Sequence, residues 1–244
     1  MCNHGRMSTA GPTTSRAEGI RAQARHEMRA AILETARIHL ARQGAGGLSL
    51  RAVARDVGMV SSALYRYFDS RDALLTALIV DAYDSLGEAV EAAEGACDRR
   101  DLRGRWQAIA RATRAWATSD PHQYALVYGS PVPGYAAPQD TIAPATRVTR
   151  LLADLLVDVA LAGLAPVEEH LPPAVVEAVD PARAYTGERV SPDLMVRGLM
   201  AWTYLFGAVS FELFGQRHNV VTDTRLDDFF AEETRRIGSL IGLG

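Results

Sequence analysis

Apolar residues recur at helical spacing through most of the chain, and no stretch alternates apolar and polar residues as a half-buried strand would. Met28, Ile32, Leu33, Ala36 and Leu40 mark a first helix, which the glycine-rich run from Gly44 to Gly47 closes. Ser49 is placed to cap a short helix through Val57, with Leu50, Val53, Ala54 and Val57 inward. Gly58 suits the left-handed conformation that ends it. Another helix is expected from about Ser61 to Phe68, packing Leu64 and Phe68. Asp69 and Ser70 reset the chain, and Leu74, Leu75, Leu78, Ile79, Ala82, Leu86, Ala89 and Val90 trace one face of a long helix to about Glu94.

Helical patterns continue at roughly 102–118, 121–129, 141–163, 191–215 and 225–241. The pattern at 191 opens with Ser191 as cap and Pro192 at the first helical position. Two stretches are irregular, 129–140 and roughly 164–190, and the second has room for a short helix near Ala174 to Val179. The expected fold is all-α: a helix-turn-helix domain of three helices at 23–72 joined to a larger helical bundle at 73–244. Residues 1–22, with their Gly, Ser, Thr and Pro, read as a flexible leader.

Composition narrows the class. The 244 residues are 48% hydrophobic and 23% charged, which is ordinary for a globular protein. Cys2 and Cys97 are too far apart in sequence to suggest a disulfide framework or a zinc site, so a reducing, cytoplasmic setting fits. The mostly apolar, uncharged run from Gly198 to Phe211 is 14 residues, short of a spanning helix, and no membrane segment is expected. The net charge of -3 conceals an asymmetry: residues 1–71 hold eleven arginines against five acidic residues, and the remainder is acidic. Every basic residue other than histidine is arginine.

Two short helices joined by a tight turn containing Gly, preceded by a bracing helix, have the shape of a helix-turn-helix, whose second helix enters the DNA major groove. Ser61, Ser62, Tyr65, Arg66 and Tyr67 would give that helix an outer face of donors and rings. Arg51 and Arg71 are within reach of phosphates, which fix register without reading sequence.

The stretch from Arg29 to Leu78, with its "SLRAVARDVGM" entry and "ALYRYFDSRDALL" exit, closely resembles the DNA-binding domain of the tetracycline-repressor (TetR) family. The resemblance implies contacts to phosphate or base from Tyr65 and Tyr67, with Ser61 and Ser62 at the start of the reading helix. Arg71 takes the place usually held by a phosphate-binding Lys, and Ala63 stands where many members carry Thr. Further on, "DPHQYALVYGSPVPGY" and "MAWTYLFGAVSFELFG" look like a C-terminal domain type known for a Trp-His-Gly signature. Trp202 and Gly207 fit it, while Phe206 replaces the His, so a role carried by that His does not transfer.

The resemblance implies a double-stranded DNA operator, a two-fold dimer and a small apolar or amphipathic effector. Gly198, Ala201, Gly207, Ala208 and Gly215 would allow close helix packing, and Phe229, Phe230 and Ile237 would add apolar area; these residues either form a dimer interface or complete the monomer core. Tyr83, Trp106, Trp116, Tyr124, Tyr128, Trp202 and Phe206 either line a pocket or fill a core. Arg111, Arg114 and Glu212 are candidates to orient a polar ligand group. The alternative is a DNA-binding dimer with no ligand.

Enzymatic motifs fail on inspection. The histidines pair with no metal-ligand spacing, "GAGG" at 44–47 follows a helix and lacks the Lys-Ser/Thr of a phosphate loop, and Ser130 sits in "YGSPV" with one flanking glycine. No catalytic residue, metal or cofactor is expected. The reading is a transcriptional regulator, a ligand-released repressor acting as a homodimer on a palindromic operator.

Overall fold

The computed structural model describes residues 13–244, and among them every regular element is a helix. The chain falls into two compact units that part between Leu78 and Ile79.

The first unit holds α1 (Thr13–Gln43), α2 (Leu50–Asp56), α3 (Ser61–Leu64) and the first turns of α4 (Arg71–Gly95). Ile32, Ala36 and Leu40 of α1, Val53 and Ala54 of α2, and Leu64, Phe68, Leu74 and Leu75 beyond them are all buried, the set that helical spacing marks. Ser49 stands at the N-cap of α2 in extended conformation, but its hydroxyl makes no capping bond. Gly58 turns the chain after α2 with φ of 79°, a region that side chains with a Cβ avoid. His39, buried in α1, shares a hydrogen bond of 2.7 Å with the Asp56 carboxylate of α2, and that bond holds the carboxyl below its usual range.

Two elements differ from the spacing. α1 starts at Thr13, inside the stretch read as a leader, because "RAQARHEMRAA" is built of helix formers; residues 1–12 lie outside the described residues. α3 is α-helical only to Leu64, and Arg66 and Tyr67 then donate to carbonyls three residues back, Ala63 and Leu64, in a tighter turn.

The second unit holds the rest of α4 with α5 (Leu102–Ser119), α6 (Pro121–Tyr128), α7 (Ile142–Ala145), α8 (Arg147–Leu161), α9 (Pro173–Arg183), α10 (Pro192–Leu213) and α11 (Leu226–Leu240). Asp101, Asp120 and Ser191 cap α5, α6 and α10 by accepting from the backbone N–H three residues on. The pattern at 141–163 is broken at Thr146, two residues after Pro144, although the Thr146 N–H still donates to the Ile142 carbonyl at 3.0 Å. α9 runs longer than the sequence pattern suggests and takes Pro181 into its last turn.

α10 is central, packing against α5, α8, α9 and α11. By length and composition it passes for a membrane-crossing helix. Its charged residues are nonetheless paired within the same unit: Asp193 and Arg197 pair with each other, Arg197 also reaches Glu169, and Glu212 binds Arg114 of α5. Arg105, fully buried in α5, is bound by Glu94 at 2.6 Å and Asp158 at 2.6 Å, joining α4, α5 and α8 through one guanidinium. A buried cation is tolerated only with such partners.

Candidate functional site

The outward face around α3 is polar and cationic. Ser62, Tyr65 and Arg66 are exposed, Ser61 and Tyr67 are half-buried, and Arg51 on α2 is exposed. Leu64 and Phe68, at zero and 3% exposure, anchor the inner side, so the backbone of this turn is fixed by packing while its outer side chains stay free to bind. Arg51 and Arg66 face no carboxylate among the described residues. Val60, 70% exposed at the N-cap of α3, belongs to the same face, and its signal was its position just before the first serine.

Arg71 has partners of its own. Nε donates to the Leu48 carbonyl at 3.2 Å, Nη2 to the Ala45 carbonyl at 2.6 Å, and Nη1 lies 3.4 Å from Asp72. Its guanidinium fastens the connection between α1 and α2 to the start of α4.

In the second unit five of the seven candidate pocket aromatics form one run of rings. Tyr83 meets Tyr128 edge-on at 6.0 Å, Tyr128 packs on Tyr124 at 5.0 Å and on Phe206 at 4.5 Å, and Phe206 meets Trp202 at 6.3 Å. Burial pushes the phenols of Tyr83, Tyr124 and Tyr128 above their usual range. Trp106 and Trp116 stand apart from this run: their indole N–H groups donate to the Thr234 carbonyl at 2.7 Å and to Ser85 Oγ at 3.0 Å. Arg114 and Glu212 satisfy each other through two hydrogen bonds of 2.8 and 2.7 Å, and Arg111 lies on the surface beside Gln107.

A cavity of about 190 Å³ lies between α8, α9 and α10. Of the candidate pocket residues it takes Trp202 alone; Leu152, Leu156, Met195 and Leu199 supply its apolar wall, with Thr149 and Arg150 as polar groups. Gly198 also lines it and packs closely on α8, since a Cβ there would lie 2.3 Å from Leu156 Cδ1. The exposed Tyr185 and Arg150 stand at its edge.

The candidate interface residues divide. Ala201, Ala208 and Phe230 are buried within the unit, Ile237 packs on its core, and Gly215, with φ of 72°, turns the chain beyond α10. Gly207 has open space where a Cβ would stand, and Phe229 is 41% exposed. Sequence reasoning missed Met200 and Phe211, 53% and 57% exposed, which fall with Thr203 and Gly207 on one face of α10 at three- and four-residue spacing.

Comparison with known proteins agrees with this architecture. Residues 32–78 match the model of the bacterial regulatory proteins of the tetR family, and residues 106–237 match a tetracyclin repressor-like C-terminal domain. The HTH-type transcriptional regulator Rv1816 of Mycobacterium tuberculosis is 41% identical over 200 residues, covering 81% of this chain and 86% of that protein; the regulator Mb1846 of Mycobacterium bovis matches to the same extent. The crystal structure of the regulatory protein SCO4313 superposes with a TM-score of 0.72 at 34% identity, over 88% of this chain and 97% of the other. The TetR-family regulator PfmR of Thermus thermophilus shares the fold, with a TM-score of 0.55 at 16% identity over 84% and 96% of the two chains. With a helix-turn-helix first unit, a larger helical second unit and relatives that span nearly the whole chain, this protein belongs to the TetR family of DNA-binding transcriptional regulators.

Proposed function

We propose that the protein is a homodimeric, cytoplasmic repressor that binds a palindromic operator and is released from it by a small amphipathic effector, with no catalytic role. The observation that carries this reading is the presence, in one chain, of a reading face whose Arg51 and Arg66 have no carboxylate partner among the described residues and a separate helical unit with a ligand-sized cavity. Arg51, Ser61, Ser62, Tyr65, Arg66, Tyr67 and Arg71 are the proposed DNA contacts.

The cavity volume suits a small effector, since a dry cavity of about 150 Å³ accepts benzene. Its wall of Leu, Met and Trp side chains with Thr149 and Arg150 at hand favours an apolar body with one acidic or hydrogen-bonding head. The apolar stripe of Met200, Gly207 and Phe211, with Phe229 of α11, supports pairing of two copies, as two reading heads on half-sites require. Release demands that the effector prefer the state that does not bind DNA; equal affinity for both states shifts nothing.

Fluorescence anisotropy tests the reading: the protein is titrated against the duplex upstream of its own gene and a shuffled duplex, over a range of salt. Tight, salt-dependent preference for the native duplex, lost in Tyr65→Ala, is expected. A panel of acids from benzoate to octanoate then supplies a compound that releases wild-type protein and fails on Leu199→Trp, whose indole fills the cavity. Equal weak binding to both duplexes overturns the operator reading; specific binding that no compound in the panel releases favours a DNA-binding dimer without an effector of this class.

A further inference from the structure

The stripe of α1 that buries Ile32, Ala36 and Leu40 continues toward the N-terminus as Arg29, Arg25 and Arg21, one turn at a time. A stripe that is apolar where it meets the core turns cationic where it leaves it. Residues 18–27 are all exposed, so this half of α1 does not lie on the core. It is held to the reading turn by two ring contacts: the Arg29 guanidinium lies 4.9 Å from the Phe68 ring, and that of Arg25 lies 5.7 Å from the Tyr67 ring. Arg25 Nη2 also donates to the Arg66 carbonyl at 3.4 Å. Arg25 therefore stands directly beside Arg66 and Tyr67, two of the proposed DNA contacts.

Among the described residues, Arg21, Arg25 and Arg29 make no ion pair. Glu18 lies on the same face one turn before Arg21 and binds neither it nor Arg25, while Glu27 lies on the far side and accepts from Gln23. Stacking on an aromatic ring leaves the guanidinium edge and its donors available, which is how arginine serves at phosphate sites.

From this arrangement we infer that the exposed N-terminal half of α1 is a second DNA-binding element, with Arg21 and Arg25 on backbone phosphates flanking the base pairs read by α3. The inference rests on the operator reading and extends it. The helix-turn-helix supplies sequence preference, and the α1 strip supplies affinity that no base sequence alters. The strip lengthens the footprint outside the bases that α3 specifies.

The test uses the full chain and the upstream duplex. Each phosphate contact contributes about 0.9 to the slope of log affinity against log salt on B-DNA. Arg21→Gln with Arg25→Gln is expected to lower that slope by about 1.8 units. Preference for native over shuffled duplex stays as in wild type, and Arg21→Lys with Arg25→Lys restores the slope. Trimming the duplex flanks abolishes the difference between wild type and the glutamine variant. Arg21→Gln alone, at an exposed side chain with no hydrogen bond or ion pair among the described residues, guards against a folding artefact and is expected to lose about 0.9 units. A wild-type slope in both glutamine variants overturns the inference while leaving the operator reading intact. Wild-type protein with no salt-dependent preference for the upstream duplex overturns both.

Discussion

Arg71 Nη2 donates to the Ala45 carbonyl at 2.6 Å, so the first residue of α4 holds a connection laid down 26 positions earlier. A cation at this place in the helix-turn-helix has two available tasks, to meet a phosphate and to brace the fold, and the geometry supports the second directly.

Arg71→Ala is therefore expected to lower the stability of the first unit by about 1–2 kcal/mol, the lower part of the range for charged hydrogen bonds because the guanidinium is about a third exposed. Arg51→Ala, on an exposed side chain without a carboxylate, should leave stability unchanged and reduce the salt slope of DNA binding by about one unit. Urea titration followed by anisotropy on both variants separates bracing from binding. An unchanged midpoint for Arg71→Ala would show that the two carbonyls find other donors.

Gly238 lies against Trp106: a Cβ there would stand 2.9 Å from Cδ1 of the indole, whose N–H donates to the Thr234 carbonyl one turn away. Gly238→Leu should push α11 off α5 and break that bond, at a cost of about 1–3 kcal/mol from overpacking. Thermal melting together with near-ultraviolet circular dichroism of the tryptophan band measures it; a native band in the variant would show that the indole swings aside without loss.

Tyrosines set an alkaline limit. Burial raises the phenols of Tyr83, Tyr124 and Tyr128, and burial together with the Glu233 carboxylate raises Tyr204 to about 12. A phenol raised in the folded state holds its proton more tightly there, so its contribution is complete below the ordinary value of 10.0 and is lost as pH climbs through the folded value. The melting temperature should fall between pH 10 and about 12, and tyrosinate absorbance from these four should appear together with unfolding. Independent ionisation of all eight tyrosines in the native state would contradict it.

Met200 and Phe211 are more than half exposed on a helix whose other sides are packed. If two copies pair through this face as proposed, Met200→Arg with Phe211→Arg should give monomer where wild type gives dimer in light scattering and weaken operator binding at least tenfold, with the fold kept because neither side chain is in the core. Dimer mass in the double variant would move the interface elsewhere.

Helical spacing alone located Ile32, Ala36 and Leu40 in α1 and Leu64 and Phe68 beyond α2, because within each stretch they recur every four residues and leave one face to bury. α10 resists the same treatment: it is apolar on nearly every side, so its pattern does not say which face is inside, and Ala201 and Ala208 went to the core while Met200 and Phe211 went outward. Arg114 and Glu212 are 98 positions apart, and no local signal marks partners so distant. The cavity escaped for another reason. It is defined by where atoms are missing between α8, α9 and α10, and Thr149, Leu152 and Leu199 are residue types that fill space as readily as they leave it.

The three tryptophans are placed so differently that the chain carries two separate optical signals. Trp106 and Trp116, shut in the core with their N–H groups bonded to Thr234 and Ser85, emit according to whether the helices are assembled. Trp202 borders the cavity and is only partly buried, so its emission answers to whatever displaces water beside it. Trp106→Phe with Trp116→Phe would leave Trp202, beside the cavity and against Phe206, as the single indole signal, with no dye attached.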